Sequence, residues 1–339
     1  MNNQPQTLLV PAAQMQQEFA RILVTQGFTE EKAQQCAQIF TANSTDGVYT
    51  HGVNRFPRFV RYVKEGFVKP DAVPTLKSAF GGLEQWDGNL GPGPLNAVHA
   101  TNRAMELAAQ HGIGCVALAN TNHWMRGGTY GWQAARAGFV FMGWTNTIAN
   151  MPAWGAKDGR LGNNPLIFAL PFREEAIVLD AAMSQYSFGA MEMAQLKNEP
   201  LPQYGGYDKN GQLTTDPGAV LESRRPLPIG YWKGAGMALL LDLLAAVLSG
   251  GLSTAEISTK EVEYGLSQVF VAIDISKLPN HSAIPRVLEA IISDYQQSIP
   301  ASDKNKITYP GERVLEMRRK NGLAGIPVLK KVWEEITQL

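Results

Sequence analysis

The sequence predicts a mixed α/β (α+β) chain, a sheet flanked by helices with helical segments before and after it. Helical apolar spacing dominates the stretch before Pro70. Short β-type runs separated by loops follow between Gly112 and Asp274. Helical patterns return after residue 281. These shifts divide the chain into a helical part at 1–75, an α/β core at 76–280 and C-terminal helices at 281–339 that pack back on the first part.

Taken in order, Met15, Phe19, Ile22 and Leu23 form a helical stripe within Ala12 to Gln26. Thr29 is placed to cap a second helix, with Glu30 and Glu31 in the first turn where the helix dipole favours acids. That helix buries Ala33, Cys36, Ile39 and Phe40, and its end leads into Thr50-His51-Gly52-Val53-Asn54-Arg55-Phe56. If a third helix opens at Val53, Arg55 lies in its first turn, close to His51. Phe56, Phe59, Val60 and Val63 share one face of that helix, and Arg58 and Arg61 read as a solvated face. Gly88 to Gly93 is a glycine-rich turn before a helix running to about Gln110. It is a poor dinucleotide fingerprint. The third glycine position is Asn96, no clear strand precedes it, and Pro92 and Pro94 remove backbone donors.

Strands are expected at Gly114–Ala119, Gly138–Trp144, Leu166–Leu170, Ile177–Asp180 and Gln268–Asp274. Between them lie two loops dense in Asn, Trp and Gly, Asn120 to Gly128 and Asn146 to Pro165, the first of which also holds His123. Loops of this kind at strand ends are where ligands bind. Residues 197–218 read as an exposed excursion. Tyr231-Trp232-Lys233-Gly234 then opens an apolar helix, Ala235 to Leu248, that is too short to span a bilayer, carries Asp242 and reads as buried. Residues 283–299 and 312–320 are further helices, the second entered through Pro310-Gly311-Glu312-Arg313.

Composition narrows the function. Thirty basic residues balance thirty acidic ones, which argues against nucleic-acid binding. The two cysteines, Cys36 and Cys115, sit in a helical and a strand pattern and read as packing residues, with no thiolate metal site. Residues 1–7 carry no leader pattern. The expectation is a cytoplasmic protein with no membrane and no nucleic-acid partner. Signatures of serine hydrolases, zinc proteases and P-loop enzymes are absent, and the five histidines have no paired metal spacing.

What remains is a His51/Arg55 pair, a His123/Trp124 loop, Asp180 at a strand end, and Lys233 beside glycines at a helix start. Such an inventory suits proton transfer to a carboxylated carbonyl compound. Arginine holds the carboxylate through parallel bonds while an imidazole handles the proton. Each feature also has a plainer reading: Thr50 as a helix cap with His51 in a solvated loop, Asp180 as a turn cap, and the 120–128 glycines as turns.

The blocks Thr50–Phe56, Asn122-His123-Trp124-Met125-Arg126-Gly127-Gly128, Trp154-Gly155-Ala156-Lys157 and Gly230-Tyr231-Trp232-Lys233-Gly234 together resemble the type-2 malate/L-lactate dehydrogenase family, in the same order over nearly the whole chain. The resemblance implies a non-Rossmann nucleotide-binding fold, a nicotinamide cofactor (NADH, with NADPH also possible) and a homodimer. It implies a 2-keto sugar acid as substrate, 2,3-diketo-L-gulonate, reduced to 3-dehydro-L-gulonate at the carbonyl next to the carboxylate. The family's proton donor falls on His51. Its cofactor contacts fall on Ala176, Ile177, Val178, Leu179, Asp180, Ala181 and Ala182, on Trp232 and Lys233, and on Gly311, Glu312 and Arg313.

Substrate contacts at Thr50, Arg55, His123 and Asp180 rest on chemistry, with Arg55 on the carboxylate, His123 on a hydroxyl or carbonyl oxygen, and Asp180 orienting His51 or holding its charge. The chain departs from the family pattern at Thr50, where serine is usual, and at Asn163, where threonine is usual in Gly162-Asn163-Asn164-Pro165. The rival readings are another 2-hydroxy or 2-keto acid dehydrogenase of the same family (malate, lactate, ureidoglycolate, sulfolactate or a cyclic imino acid), a cofactor-free sugar-acid lyase using His51 and Asp180, or a binding protein built on the Trp-rich 124–154 region.

Overall fold

The computed structural model describes residues 6–302 and 306–339; the leader expectation for residues 1–5 lies outside them. An edge strand, β1 (Thr7–Val10), precedes helices α1 (Ala12–Thr25), α2 (Glu30–Thr45) and α3 (Phe56–Lys64). The Thr29 hydroxyl accepts from the Lys32 amide and caps α2 as expected. Phe19, Phe40 and Phe56 are fully buried and meet at the centre of these helices; the Phe19 and Phe56 rings stack with centroids 4.0 Å apart.

The core follows. Its elements are β2 (Thr75–Phe80), β3 (Leu83–Asp87), α4 (Gly93–His111), β4 (Ile113–Thr121), α5 (Gly128–Arg136) and β5 (Phe139–Thr145). A short hairpin, β6 (Met151–Pro152) with β7 (Gly159–Leu161), leads to β8 (Leu166–Phe172) and β9 (Glu175–Ala181). Helix α6 (Phe188–Leu196) precedes the 197–218 excursion, which holds β10 (Gly206–Tyr207), β11 (Leu213–Thr214) and the start of α7 (Pro217–Ser223). Next come α8 (Trp232–Ser249), α9 (Thr254–Ile257) and β12 (Leu266–Asp274). The chain continues through α10 (Ile284–Gln296), α11 (Glu312–Ala324), β13 (Ile326–Leu329) and α12 (Lys330–Thr337).

Seven strands form one mixed sheet in the order β2-β3-β4-β12-β5-β8-β9. Only β3 and β4 run parallel; their neighbours pair antiparallel. β12 lies at the centre and is buried over most of its length, so it reads as a continuous apolar run. Helices α4 and α5 cover one face with Ala97, Ala100, Ala104 and Tyr130, and α8 covers the other. β13 pairs antiparallel with β1, which brings Ile326, Val328, Trp333 and Ile336 into the same core as α1–α3.

Three expectations are corrected. A strand, β3, does lead into the Gly88–Gly93 turn, so β3, α4 and β4 form a parallel crossover. The turn is nonetheless packed against the chain itself. A Cβ at Gly93 would lie 2.2 Å from the His123 carbonyl oxygen, and Asn122 Nδ2 donates to the Phe67, Leu90 and Gly91 carbonyls. The Gly88, Leu90 and Gly91 amides donate to the Ala119, Asn120 and Gly88 carbonyls and the Asn89 amide to Asp87, so the turn's backbone donors that a phosphate would use are spent internally.

The apolar helix α8 is only partly buried. Ala238, Leu241 and Ala245 face the sheet, while Leu239, Leu240, Leu243, Leu244 and Val247 are exposed. By length and composition it could cross a membrane. Its inner face instead packs on β12, β4 and β5, and Asp242 accepts from Asn146 Nδ2 and the Thr254 amide. Sequence hydropathy cannot separate a helix buried all round from one with an outer apolar face.

The third helix begins at Phe56 rather than Val53. Pro57 suits the first turn of a helix, where its missing N–H has no intrahelical partner. The short strands β1, β2, β3 and β13 and helices α5, α6 and α7 add to the elements read from the sequence.

Candidate active site

His51 ends one turn of 3-10 helix, Tyr49–His51, packed against the end of α2. Its carbonyl accepts from Asn43 Nδ2 at 2.9 Å, and Asn43 Oδ1 accepts from Thr129 at the start of α5. Gly52 lets the chain approach α2: a Cβ there would lie 2.2 Å from Ser44 Oγ, which also accepts from the Val53 amide. The Asn54 and Arg55 amides close the turn on the Tyr49 and Gly52 carbonyls. Arg55 therefore occupies the N-cap position of α3, and its side chain lies on the same side as His51. The Thr50 hydroxyl lies 3.3 Å from His51 Nδ1. Its methyl group fills the space where a Cβ on Gly189 would sit, 2.3 Å away.

His123 faces His51 with ring centroids 5.6 Å apart and planes 12° from parallel. The buried Met125 has φ 68°, a rare conformation for a bulky residue, and this bend brings its amide 3.0 Å from His123 Nδ1. Nδ1 is thus an acceptor, and in the neutral ring Nε2 carries the hydrogen. Burial, then Arg55, then Arg126 push the His51 imidazole down to about 4. His123 is lowered well below the ordinary histidine range by burial, Arg55, His51 and Arg58.

Two cavities meet at this histidine pair, of about 560 and 420 Å³, and both are lined by Thr50, His51, His123, Thr147, Asn163 and Ser187. The larger extends to Arg55, Arg58, Glu192 and Glu263. Glu263 stands 3.9 Å from Arg55 and accepts from the Ile148 amide. Arg58 is exposed, as a solvated face requires, and it also lines this cavity. It follows Arg55 by three positions, and that spacing was the readable signal. Glu263 carried no such signal, being remote in sequence.

The smaller cavity is lined by Val178, Leu179, Asp180 and Ala182 from β9 and beyond, and by Gly311. Asp180 borders it but bonds to the Gly128 amide at 2.7 Å and lies 3.9 Å from Arg126. Its carboxyl is raised by burial and drawn back by Arg126 and that amide. Asp180 does not reach His51 by a hydrogen bond, so the expectation that it orients the imidazole is corrected. Arg126, unremarked as an ion-pair residue in the sequence, is buried against Asp46, which also takes two bonds from Arg318.

The cofactor segments fall in two places. The Val178 amide donates to the Pro310 carbonyl at 3.1 Å, which brings the Ala176–Ala182 strand and Gly311 together. Within that strand Ala176 and Val178 pack into the core, while Ile177 and Ala181 are half-buried and do not line the cavity. Gly311 has φ 97°, and a Cβ there would come 3.2 Å from the Val178 amide nitrogen and 3.3 Å from the Trp132 ring. Glu312 and Arg313 start α11 outside the cavity; Glu312 pairs with Lys306. Trp232 and Lys233 lie in the first turn of α8, away from both cavities, with Trp232 65% exposed. Among the described residues no group of three His, Cys, Asp or Glu side chains could hold a metal ion. Cys36 is buried, Cys115 is partly buried, and both are free.

An imidazole pair with Arg55 at hand, between these two cavities, is able to move a proton beside a carboxylate. The malate/L-lactate dehydrogenase family model matches residues 10–337, and the chain belongs to that family. It is an oxidoreductase. Among relatives, a protein named 2,3-diketo-L-gulonate reductase from Escherichia coli (strain K12 / DH10B) is 45% identical over 328 residues, covering 96% of this chain and 98% of the relative. The fold is also that of malate dehydrogenase from Entamoeba histolytica, with a TM-score of 0.93 at 22% identity over 98% of this chain and 97% of that one. Sulfolactate dehydrogenase from Methanocaldococcus jannaschii matches with a TM-score of 0.87 at 26% identity, over 97% and 95%.

Proposed function

We propose that the chain reduces 2,3-diketo-L-gulonate to 3-dehydro-L-gulonate at the carbonyl beside the carboxylate, with NADH as cofactor and His51 as proton donor. The single observation that carries this reading is the placement of His51 beside Arg55, where a cavity lined by Arg55, Arg58, Glu192, Glu261 and Glu263 meets a cleft bordered by Gly127 and Gly311. Arg55 binds the carboxylate, and Arg58 adds positive charge at the mouth. The acidic Glu192 and Glu263 accept from hydroxyls farther along the sugar acid.

The cleft fits a nicotinamide cofactor on this chain's own residues. Gly311 borders it in a left-handed conformation packed against Val178 and Trp132, and Val178, Leu179, Asp180 and Ala182 form the wall. When bound, the reduced nicotinamide supplies the hydride. Trp232 and Lys233 join the site at the edge of a second subunit in a cytoplasmic homodimer. The exposed leucines of α8 support that assembly.

The free site holds His51 neutral, because burial and two arginines disfavour its charged form. A substrate carboxylate on Arg55 cancels part of that positive field, so the imidazole gains its proton as substrate binds. His51 Nε2 then donates to the alkoxide that forms on the reduced carbonyl, a step worth about 10²–10⁴-fold in rate.

The test is the loss of reduced-nicotinamide absorbance with purified protein, NADH or NADPH, and a panel of 2-keto acids. Oxidation of NADH with 2,3-diketo-L-gulonate, far above that with pyruvate or oxaloacetate, is expected. Faster turnover of oxaloacetate would replace the substrate while keeping the family.

A further inference from the structure

Asn163 lines both cavities, yet neither the carboxylate nor the proton-transfer step uses it. Its amide oxygen faces Thr147 and Asn150, which leaves the nitrogen toward the cavities. Oδ1 accepts from Thr147 Oγ1 at 3.2 Å and from Asn150 Nδ2 at 3.2 Å. Its backbone carbonyl accepts from the Met183 amide at 2.8 Å. The oxygen side is thus saturated, while Nδ2 has no acceptor among the described residues.

The base beneath it is fixed as well. Gly162 allows the turn to press against Thr147, since a Cβ there would lie 2.4 Å from Thr147 Oγ1. The 147–149 backbone is pinned from outside by Asn164 Oδ1, Glu263 and Ser258. Asn163 therefore presents two N–H donors and no free acceptor, from a fixed support, into the space shared with His51 and His123.

A substrate with its carboxylate on Arg55 and its C2 oxygen at His51 has one further oxygen close to those two, the one on C3. We propose that Asn163 Nδ2 donates to the C3 oxygen and makes the enzyme selective for 2-keto acids oxygenated at that carbon, as ketone or hydroxyl. This rests on the reading of the His51 cavities as the site of a 2-keto acid reductase. A donor aimed at that position rewards a substrate that fills it and is left unpaired by one that does not, which is how a polar site rejects an analogue lacking one oxygen.

Hydroxypyruvate and pyruvate differ by that oxygen alone. The experiment measures kcat and KM for both with NADH, using wild-type protein, Asn163→Ala and Asn163→Thr, with thermal unfolding to establish that each variant is folded. Wild type is expected to favour hydroxypyruvate by about tenfold or more in kcat/KM. Asn163→Ala is expected to lower kcat/KM for hydroxypyruvate about tenfold and for pyruvate less than about threefold, a loss of the size of one hydrogen bond. Asn163→Thr, which keeps a polar group but withdraws the amide, gives the same collapse of the ratio if alanine is not tolerated.

Equal losses on both substrates, or a ratio that stays within about twofold of wild type in a folded variant, would overturn the proposal. So would a wild-type enzyme with no preference between the two acids. Failure of the underlying reading appears separately, as wild-type protein that oxidises NADH with neither acid nor with 2,3-diketo-L-gulonate.

Discussion

The His51 pocket and the outer face of α8 hold apolar and polar surface in opposite ways. Around His51 the polar groups that matter find partners within the chain: Arg126 on Asp46, Asp180 on the Gly128 amide, His123 on the Met125 amide. On α8 a row of leucines, with Trp232 at its start, faces outward with nothing of the chain over it. Those polar groups are paired within one chain. The α8 face, exposing an apolar row that folded surfaces seldom leave open, is finished by something else.

That contrast can be broken from either side. The largest effect is expected at the pocket. His51→Ala should lower kcat about 10²–10⁴-fold while NADH still quenches tryptophan fluorescence; near-normal turnover would remove His51 as proton donor. On the other face, Leu240→Lys with Leu244→Lys should convert a dimer to monomer in analytical ultracentrifugation, since two buried charges without partners oppose association. An unchanged sedimentation coefficient would place the interface elsewhere.

Acidity probes the pocket again. His51 titrates near 6.5 when unfolded and about 4 when folded. Above pH 6.5 both states are neutral. Between pH 6.5 and 4 the unfolded chain takes up a proton that the folded one does not, so stability falls as pH falls. The loss is on the order of 3 kcal/mol, and His123 adds in the same direction. Denaturation midpoints measured across that window should slope less in His51→Gln. The smallest effect is expected at the seam between the two regions. Gly311→Ala forces a Cβ onto a left-handed residue against Val178, costing about 1–2 kcal/mol and weakening NADH binding in titration calorimetry.

Much of this was legible in the sequence, for identifiable reasons. The five strands expected in the core came from β-branched and apolar runs, and α1 and α2 from helical spacing with a Thr29 cap. The pairing of His51 with Arg55 was readable because both lie in one short stretch. The meeting of His51 with His123 and Asn163 was not, because β4, β5 and β8 carry those loops together only once the sheet forms. β1, β2, β3 and β13 are short, and the first three are mostly exposed or half-exposed, so their apolar pattern is faint. The outward leucines of α8 look like core in a sequence, since hydropathy records composition and not direction.

The Asp46–Arg318 bridge joins residues 272 positions apart, and β1 closes on β13 across a similar span. A ribosome has therefore made nearly all of the described chain before the floor of the His51 turn can lock. The sheet strands and α4 can assemble earlier, from contacts closer in sequence. The His51 turn thus waits on late synthesis: a nascent chain stalled before Glu312 carries every residue that lines the larger cavity except Leu329 and Val332, yet lacks the α11 residues Met317, Arg318 and Asn321 that pack on Tyr49, Asp46 and the end of α2.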